Sequence, residues 1–258
     1  MTDYERGWTQ WGDMIRYSPA PFHRRRLIMK LADEVPFESV LDVGCGNGEL
    51  LLALSRRRPL RRLVGVDIAA SVIDENRRTF PDFEFHHLDI GSAWLPLECD
   101  LVICSEVIEH VVAWEQALLH LRRMCATHLI VTVPAGRMFP IDRLMGHHRH
   151  FALEPLSEAL GHAGFVAERA WRWGFPFHTA YKHLINLAPD ASVRRFSTGV
   201  YGPTAKAFAT LIRWLFYLNS RHLGSQLVIR ARVVEGSSMV RRWPERRGPS
   251  VPNPKSVT

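Results

Sequence analysis

Val40-Leu-Asp-Val-Gly-Cys-Gly-Asn-Gly-Glu-Leu50 is the stretch that decides the fold. An apolar strand pattern runs into Gly44-x-Gly46-x-Gly48, and a leucine-rich helical pattern follows at once. Strand, glycine turn and helix in that order open a βαβ unit, because glycine lets the backbone turn sharply and approach a ligand that a Cβ would keep away. The spacing is GxGxG rather than GxGxxG, and Asp42 stands at the strand end beside the loop. A buried carboxylate there repels a pyrophosphate and suits a ligand carrying an ammonium or sulfonium. Glycines alone also serve plain packing turns, so the neighbouring segments must decide.

Working outward, Val64-Gly-Val-Asp67 ends a second strand pattern and places a carboxylate 67 − 48 = 19 residues past the last glycine, where it can accept both hydroxyls of a ribose. Phe83-Glu-Phe-His-His-Leu-Asp-Ile90 ends a third with Asp89, placed to accept from an exocyclic amine. Three acids at successive strand ends describe a nucleoside with a cationic tail. Further strand patterns cover 101–104, 129–133, 165–173 and 226–234. Helical patterns lie between them, such as 111–124, where Val111, Trp114, Leu118 and Leu121 recur on one stripe. Alternation of this kind predicts an α/β fold with a mostly parallel sheet covered on both faces.

The chain has 258 residues with 33 Lys or Arg and 26 Asp or Glu, a formal charge of +7. From Ser237 onward five basic residues face one glutamate, 5 − 1 = +4, so the rest carries only 7 − 4 = +3. That weakens a nucleic-acid partner, for which the bare total argues. Cys45, Cys99, Cys104 and Cys125 form no Cys-x-x-Cys pair and read as reduced thiols. Residues 1–16 hold no apolar signal core, and the run 207–218 includes Thr210 and Arg213 and falls short of the roughly 20 residues of a spanning helix. A cytoplasmic protein is expected. The same run could still lie on a membrane surface, with Lys206, Arg213 and Arg221 reaching outward.

Together, Leu41-Asp-Val-Gly-Cys-Gly-Asn-Gly48, Val66-Asp67, Leu88-Asp89 and Asp100-Leu-Val-Ile-Cys104 resemble the core motifs of class I S-adenosylmethionine-dependent methyltransferases. The resemblance covers roughly residues 20–173 and the closing strand. It implies a Rossmann-like seven-stranded sheet with one antiparallel strand, helices on both faces and a helical cap insertion. The cofactor it implies is S-adenosyl-L-methionine, held by Asp42, Gly44, Cys45, Gly46, Gly48, Asp67, Ile68, Asp89, Ile90 and Ser105. On this reading 1–36 is an N-terminal helical segment of the substrate cap and 37–174 the cofactor-binding core. Residues 175–222 form a helical insertion, 223–236 the closing strand, and 237–258 a basic, disordered tail.

Ser105-Glu-Val-Ile-Glu-His-Val111 follows the fourth strand. Read as the start of a helix, it sets Glu106, Glu109 and His110 on one face at i, i+3 and i+4. His110, aided by Glu106, is then the general base or orienting group for the methyl acceptor, since an imidazole takes a proton at neutral pH. A second reading binds a divalent ion through these residues and a histidine from His147-His-Arg-His-Phe151. That pattern resembles metal-dependent 2′-O-methyltransferases of small-RNA 3′ ends and is similar to quinone-pathway O-methyltransferases. Arg149 stands where an acid is expected there, and Thr132-Val-Pro-Ala-Gly136 replaces a different loop. A third reading makes Glu106 a helix cap and His110 a packing residue, with His147, His148 and His150 as exposed loop residues. The expectation adopted here is the first, with no metal.

For the acceptor side, Trp8, Trp11, Tyr17, Phe139, Phe175, Phe177, Tyr181, Trp214, Phe216 and Tyr217 lie in the segments from which such enzymes build their pockets. Rings of this kind suit a flat aromatic or isoprenoid molecule, or else form the core of a helical cap. The expected activity is in-line transfer of a methyl group to an oxygen of a small-molecule acceptor. The alternatives are a metal-dependent RNA 2′-O-methyltransferase and a non-catalytic cofactor-binding module. The oligomeric state is not legible from the sequence.

Overall fold

The computed structural model describes residues 17–197 and 201–234. Seven strands, β1 (Ser39–Val43), β2 (Arg62–Asp67), β3 (Glu84–His87), β4 (Cys99–Ser105), β5 (Cys125–Pro134), β6 (Phe165–Trp173) and β7 (Gln226–Val233), form one sheet in the order β3-β2-β1-β4-β5-β7-β6. All pairings are parallel except those of β7, which runs antiparallel to both β5 and β6. This is the expected Rossmann-like sheet with its single reversed strand.

Side-chain alternation along each central strand feeds two cores, one on either face. Leu41, Val43, Val102, Cys104, Leu129 and Val131 point one way and meet α4 (Trp114–Arg123) and α6 (Leu153–His162). Val40, Leu101, Ile103, Ile130 and Val228 point the other way, toward α1 (Pro19–Ala32), α2 (Glu49–Ser55) and α3 (Ala70–Thr79). Short α5 (Pro140–Leu144) follows β5. Between β6 and β7 lie α7 (Phe177–Ile185), α8 (Pro189–Ser197) and α9 (Pro203–Phe216), and α9 packs on α1 and α7. Among the described residues no helix is long and apolar enough to cross a membrane. Trp8, Trp11 and the basic tail from 237 lie outside the described residues.

Strand order reverses between β1 and β4, and ligands of open α/β sheets bind in the crevice outside the carboxyl ends at such a point. Two segments meet there: the glycine loop after β1 and the 105–113 turn after β4. A Cβ built on Gly44, whose φ is +73°, would lie 2.3 Å from Val107 Cγ2, so this position admits only glycine while Val107 stays where it is.

The structure corrects one local expectation. Residues 106–113 are turns, and α4 begins only at Trp114. Glu106 has φ +56°, the single positive φ of a non-glycine among the described residues, and its N–H is committed to Thr132 O at 2.9 Å. A left-handed residue cannot open an α-helix of L-residues. Glu106, Glu109 and His110 therefore do not share a helical face.

Candidate active site

The glycine loop spends its backbone donors inside the protein. Gly44 and Cys45 both donate to Val66 O, at 2.8 and 3.0 Å, and Gly46 donates to Asp67 Oδ2 at 3.0 Å. A loop that cradles phosphate leaves such N–H groups pointing at the ligand. Here those three N–H groups are spent on the protein itself, and Glu49, paired with Arg25 at 2.7 Å, sits in the first turn of α2. Asn76 secures the loop from α3 by donating to Gly46 O at 2.6 Å.

Carboxylates supply the field instead. Asp42 is buried, and burial pushes its carboxyl up to about 8, with the neighbouring Asp67 adding to the rise. Asp67, also buried, accepts from Gly46 through one oxygen and from Ala69 N–H, at 2.9 Å, through the other. Each carboxylate oxygen keeps acceptor capacity beyond one such bond. Asp89 is exposed just past β3 and accepts from Gly91 N–H at 2.8 Å in an Asx turn. Asp67 and Asp89 favour a cation over an anion here, and Asp42 adds its charge once a cation lies beside it.

The remaining cofactor candidates divide. Ile68 is 47% exposed beside Asp67 and presents an apolar surface suited to a planar base. The Ile90 side chain lies in the core, and its carbonyl is bonded to the His120 ring at 2.7 Å. Cys45 turns its thiol into the α2–α3 core, where burial raises it well above the ordinary range, so it offers the cleft backbone only. Ser105 ends β4 with its hydroxyl 2.8 Å from that of Thr132.

On the acceptor side, Glu106 is tied by three elements. Its Oε1 accepts from Thr132 Oγ1 at 3.1 Å and from the Gln226 amide, and its Oε2 lies 3.5 Å from Arg24 Nη1. It caps no helix. Glu109 is wholly buried, and neither carboxylate oxygen has a hydrogen-bond partner. Burial, then the charge of Glu106, hold its carboxyl well above the usual carboxylate range.

His110 meets the His147 ring edge-on, 4.6 Å between centroids. Burial lowers its basicity, opposed by the Gly146 carbonyl and Glu106. His147 Nδ1 is 3.3 Å from His150 Nε2, which is 3.3 Å from Asp142 Oδ2, and Lys182 is 3.3 Å from Asp142 Oδ1. His147 is lowered to about 3 by burial and the neighbouring imidazoles. Of the three loop histidines only His148 is exposed, which corrects the exposed-loop reading for His147 and His150. Asp142, Lys182, Arg24, Thr132 and Gln226 were not legible as site residues, since no local spacing links them to Glu106 or His110.

Two groups have ligand atoms within 4.8 Å of one another: Glu109 with His110 and His147, and Asp142 with His147 and His150. Nitrogen and oxygen donors of this kind suit zinc, iron or nickel. Asp142 already serves Lys182 and the Phe139 N–H, whereas neither oxygen of Glu109 has a hydrogen-bond partner, so the first group is the one with an unpartnered carboxylate. Glu106 belongs to neither group, which departs from the ligand set that the Glu-x-x-Glu-His string suggests.

Among the described residues the aromatic candidates do not converge on one pocket. Phe216 is core, against His23, Trp173, His178 and Tyr181, whereas Trp214 stands in solvent.

A family model described as a methyltransferase domain matches residues 18–184. The chain belongs to the methyltransferase-domain family. Its sheet is that of class I S-adenosylmethionine-dependent methyltransferases. Among curated proteins, the trans-aconitate 2-methyltransferase of Escherichia coli O7:K1 is 31% identical over 128 residues, 47% of this chain and 50% of that protein. That of Variovorax paradoxus is 29% identical over 163 residues, 58% and 61% respectively. The chain thus spans about half the length of the curated relatives it matches. Among solved structures, the N-methyltransferase NodS of Bradyrhizobium japonicum WM9 with S-adenosyl-L-homocysteine superposes with TM-score 0.54 at 14% identity, covering 85% of this chain and 90% of that one. The [4+2]-cyclase SpnF gives 0.54 at 18%, covering 81% and 80%. At these identities the likeness is one of fold.

Proposed function

We propose that this methyltransferase-family chain transfers the methyl group of S-adenosyl-L-methionine to an oxygen of a small-molecule acceptor. The observation that carries the reading is the loop whose Gly44, Cys45, Gly46 and Gly48 donors are turned inward, set beside Asp42, Asp67 and Asp89. When bound, the cofactor supplies a methyl carbon activated by a sulfonium. Asp42 and the loop carbonyls would face its ammonium end, Asp67 the ribose, and Asp89 with Ile68 the adenine. Because the carbon is already activated, the protein's part is alignment, exclusion of water and removal of the acceptor proton.

His110 is the group proposed for that proton. It is neutral at pH 7 because burial disfavours its charged form, and it lies in the turn at the lip of the crevice. Glu106 positions the turn rather than titrating with the substrate, since Thr132, Gln226 and Arg24 hold it. The relatives named for trans-aconitate support a small-molecule acceptor over a nucleic acid, and so does the modest +3 charge of the chain before residue 237. SpnF supports keeping a non-methylating role as the rival, since a protein of this fold is named a cyclase.

A second reading is favoured by Glu109: a divalent ion on Glu109, His110 and His147 would keep the carboxylate ionised and meet both orphaned oxygens. The test is purified protein incubated with S-adenosyl-L-methionine and an acceptor panel, followed by mass spectrometry for a gain of about 14 Da, with and without chelator. Product formed regardless of chelator supports His110 alone, and product restored only by added metal supports the ion. Cofactor binding without product on any acceptor supports the binding module.

A further inference from the structure

We infer that Ser105 meets the sulfonium of S-adenosyl-L-methionine with oxygen lone pairs only, because Thr132 and Glu106 commit its proton to the protein interior. Ser105 then tells the charged substrate from the neutral product, a role that rests on the methyl-transfer reading above.

A hydroxyl has one proton to give, and a carboxylate has none. Three donors surround the Glu106 carboxylate. Thr132 Oγ1, at 3.1 Å, and the Gln226 amide reach its Oε1, and Arg24 Nη1 lies 3.5 Å from its Oε2. Because Glu106 only accepts, the Thr132 proton lies on the Glu106 side. Ser105 Oγ is 2.8 Å from Thr132 Oγ1, so the proton in that second contact comes from Ser105. Thr132 is wholly buried, where a hydrogen bond given up has no water to replace it, and the direction is thereby held. The left-handed φ of +56° at Glu106 belongs to the same device, since it accompanies the return of the carboxylate to Thr132.

Sheet geometry sets that oxygen at the crevice. Along β4, Val102 and Cys104 enter one core and Leu101 and Ile103 the other, so Ser105 stands on the Leu101 and Ile103 face. Val40 fixes the same face for Asp42 in β1, and Asp42 is the register partner of Ile103. Ser105 therefore lies two residues, about 6.6 Å, past the level of Asp42, on the same side of the reversal point between β1 and β4. It is half-buried, and the next residue opens the turn that carries His110. Asp42 is assigned the ammonium end and His110 the acceptor, so Ser105 falls between them, at the level of the sulfonium. After transfer that sulfur is a neutral thioether. An oxygen held without a proton on its open side attracts the sulfonium and gains little from the thioether. Thr132 and Glu106 are positioning residues that act through Ser105.

The test is calorimetric titration of the full chain with S-adenosyl-L-methionine and with S-adenosyl-L-homocysteine. Ser105→Ala and Thr132→Val are each expected to weaken the sulfonium ligand about tenfold and to leave the thioether within about twofold. Thr132→Ser, which keeps the hydroxyl, should bind both as wild type does. The Ser105→Ala and Thr132→Val pair should lose no more than Ser105→Ala alone, because one residue acts through the other. A ratio of the two affinities that either single substitution leaves unchanged overturns the inference, and so does additive loss in the pair. Should Thr132→Val not fold, Ser105→Ala, a small truncation at a half-buried position, decides by the same ratio. Failure of the wild-type chain to bind either ligand overturns the methyl-transfer reading and this inference together, whereas an unchanged ratio overturns this inference alone.

Discussion

Asp67 holds the Gly46 N–H at 3.0 Å, so the last residue of β2 fixes the loop that follows β1. The same carboxylate is the proposed ribose ligand, which joins loop shape and ligand affinity in one side chain. Asp67→Ala is expected to lower melting stability by roughly 1–3 kcal/mol, through the lost charge-assisted bonds to Gly46 and Ala69 among others, and to weaken S-adenosyl-L-homocysteine at least about tenfold. Asp67→Asn should recover stability more than affinity, because an amide oxygen can still accept from one N–H. Thermal denaturation and calorimetry on both variants separate the two roles. Equal affinity in all three proteins would remove Asp67 from the ligand site.

Asp42 predicts a proton signature. With its carboxyl at about 8, it is protonated in the free protein at pH 7, and an ammonium or sulfonium arriving beside it favours the ionised form. Cofactor binding at pH 7 should therefore release up to about one proton, read from titrations in buffers of differing ionisation enthalpy, and the release should fade above pH 8. Asp42→Asn should abolish the release and weaken binding. The sign for stability is opposite: a carboxyl raised in the fold favours the folded state at low pH and loses that advantage as pH rises from about 4 through 8. The unliganded Asp42→Asn protein should thus melt higher than wild type at pH 8.

Gly44→Ala probes the meeting of the loop with the 105–113 turn. Its Cβ would lie 2.3 Å from Val107 Cγ2 at a backbone φ of +73°. The expected cost is about 2 kcal/mol or more, the sum of strain and displacement. Adding Val107→Ala should return part of it, and the remainder measures the left-handed backbone. A fully additive pair in denaturant melts would mean that the two segments do not press on each other.

The centre of the sheet was legible in the sequence because strands buried on both faces are written as nearly unbroken apolar runs, and β1, β2, β4 and β5 fall where those runs lie, while the edge strands β3 and β6 mix polar and apolar residues. Carboxylates at strand ends were legible for the same reason: Asp67 and Asp89 terminate runs that position them. The turn after β4 was not. Glu106, Glu109 and His110 mimic helical spacing, and nothing local announces that Glu106 takes a left-handed backbone to reach Thr132 and Gln226, the latter 120 residues away. Nor could composition tell that Phe216 faces the core and Trp214, two residues earlier, faces solvent. Phase around a helix depends on what the helix packs against, and α1 lies far away in the chain.

His110 as the acceptor base predicts a pH profile. Its imidazole is held below the ordinary value by burial, so the rate should fall only below pH 6.5 and stay level to higher pH. His110→Ala should lower kcat by about 100-fold or more with little change in cofactor affinity. His147→Ala or Asp142→Asn should shift the acid limb rather than abolish turnover, because these residues act on His110 through its neighbours. An unchanged profile in His147→Ala would confine that cluster to packing.

Three buried imidazoles set the acid limit of the fold. Burial lowers His23 to about 4, and His147 and His178 to about 3. Below about pH 6.5 the unfolded chain binds protons at these sites and the folded chain does not, so stability should be complete above that pH and decline toward pH 4. Chemical denaturation across this range should show the decline, and His23→Phe, which keeps the stack on Trp173, should reduce its slope.

The account stands on the claim that the glycine loop and its carboxylates admit a cationic nucleoside and reject an anionic one. Calorimetric titration of the wild-type chain with S-adenosyl-L-methionine, S-adenosyl-L-homocysteine and ATP tests it directly. Saturable one-to-one binding of the first two, lost in Asp67→Ala, with none for ATP, is the predicted result. No binding of either adenosyl ligand, or ATP binding as tightly as they do, would contradict it.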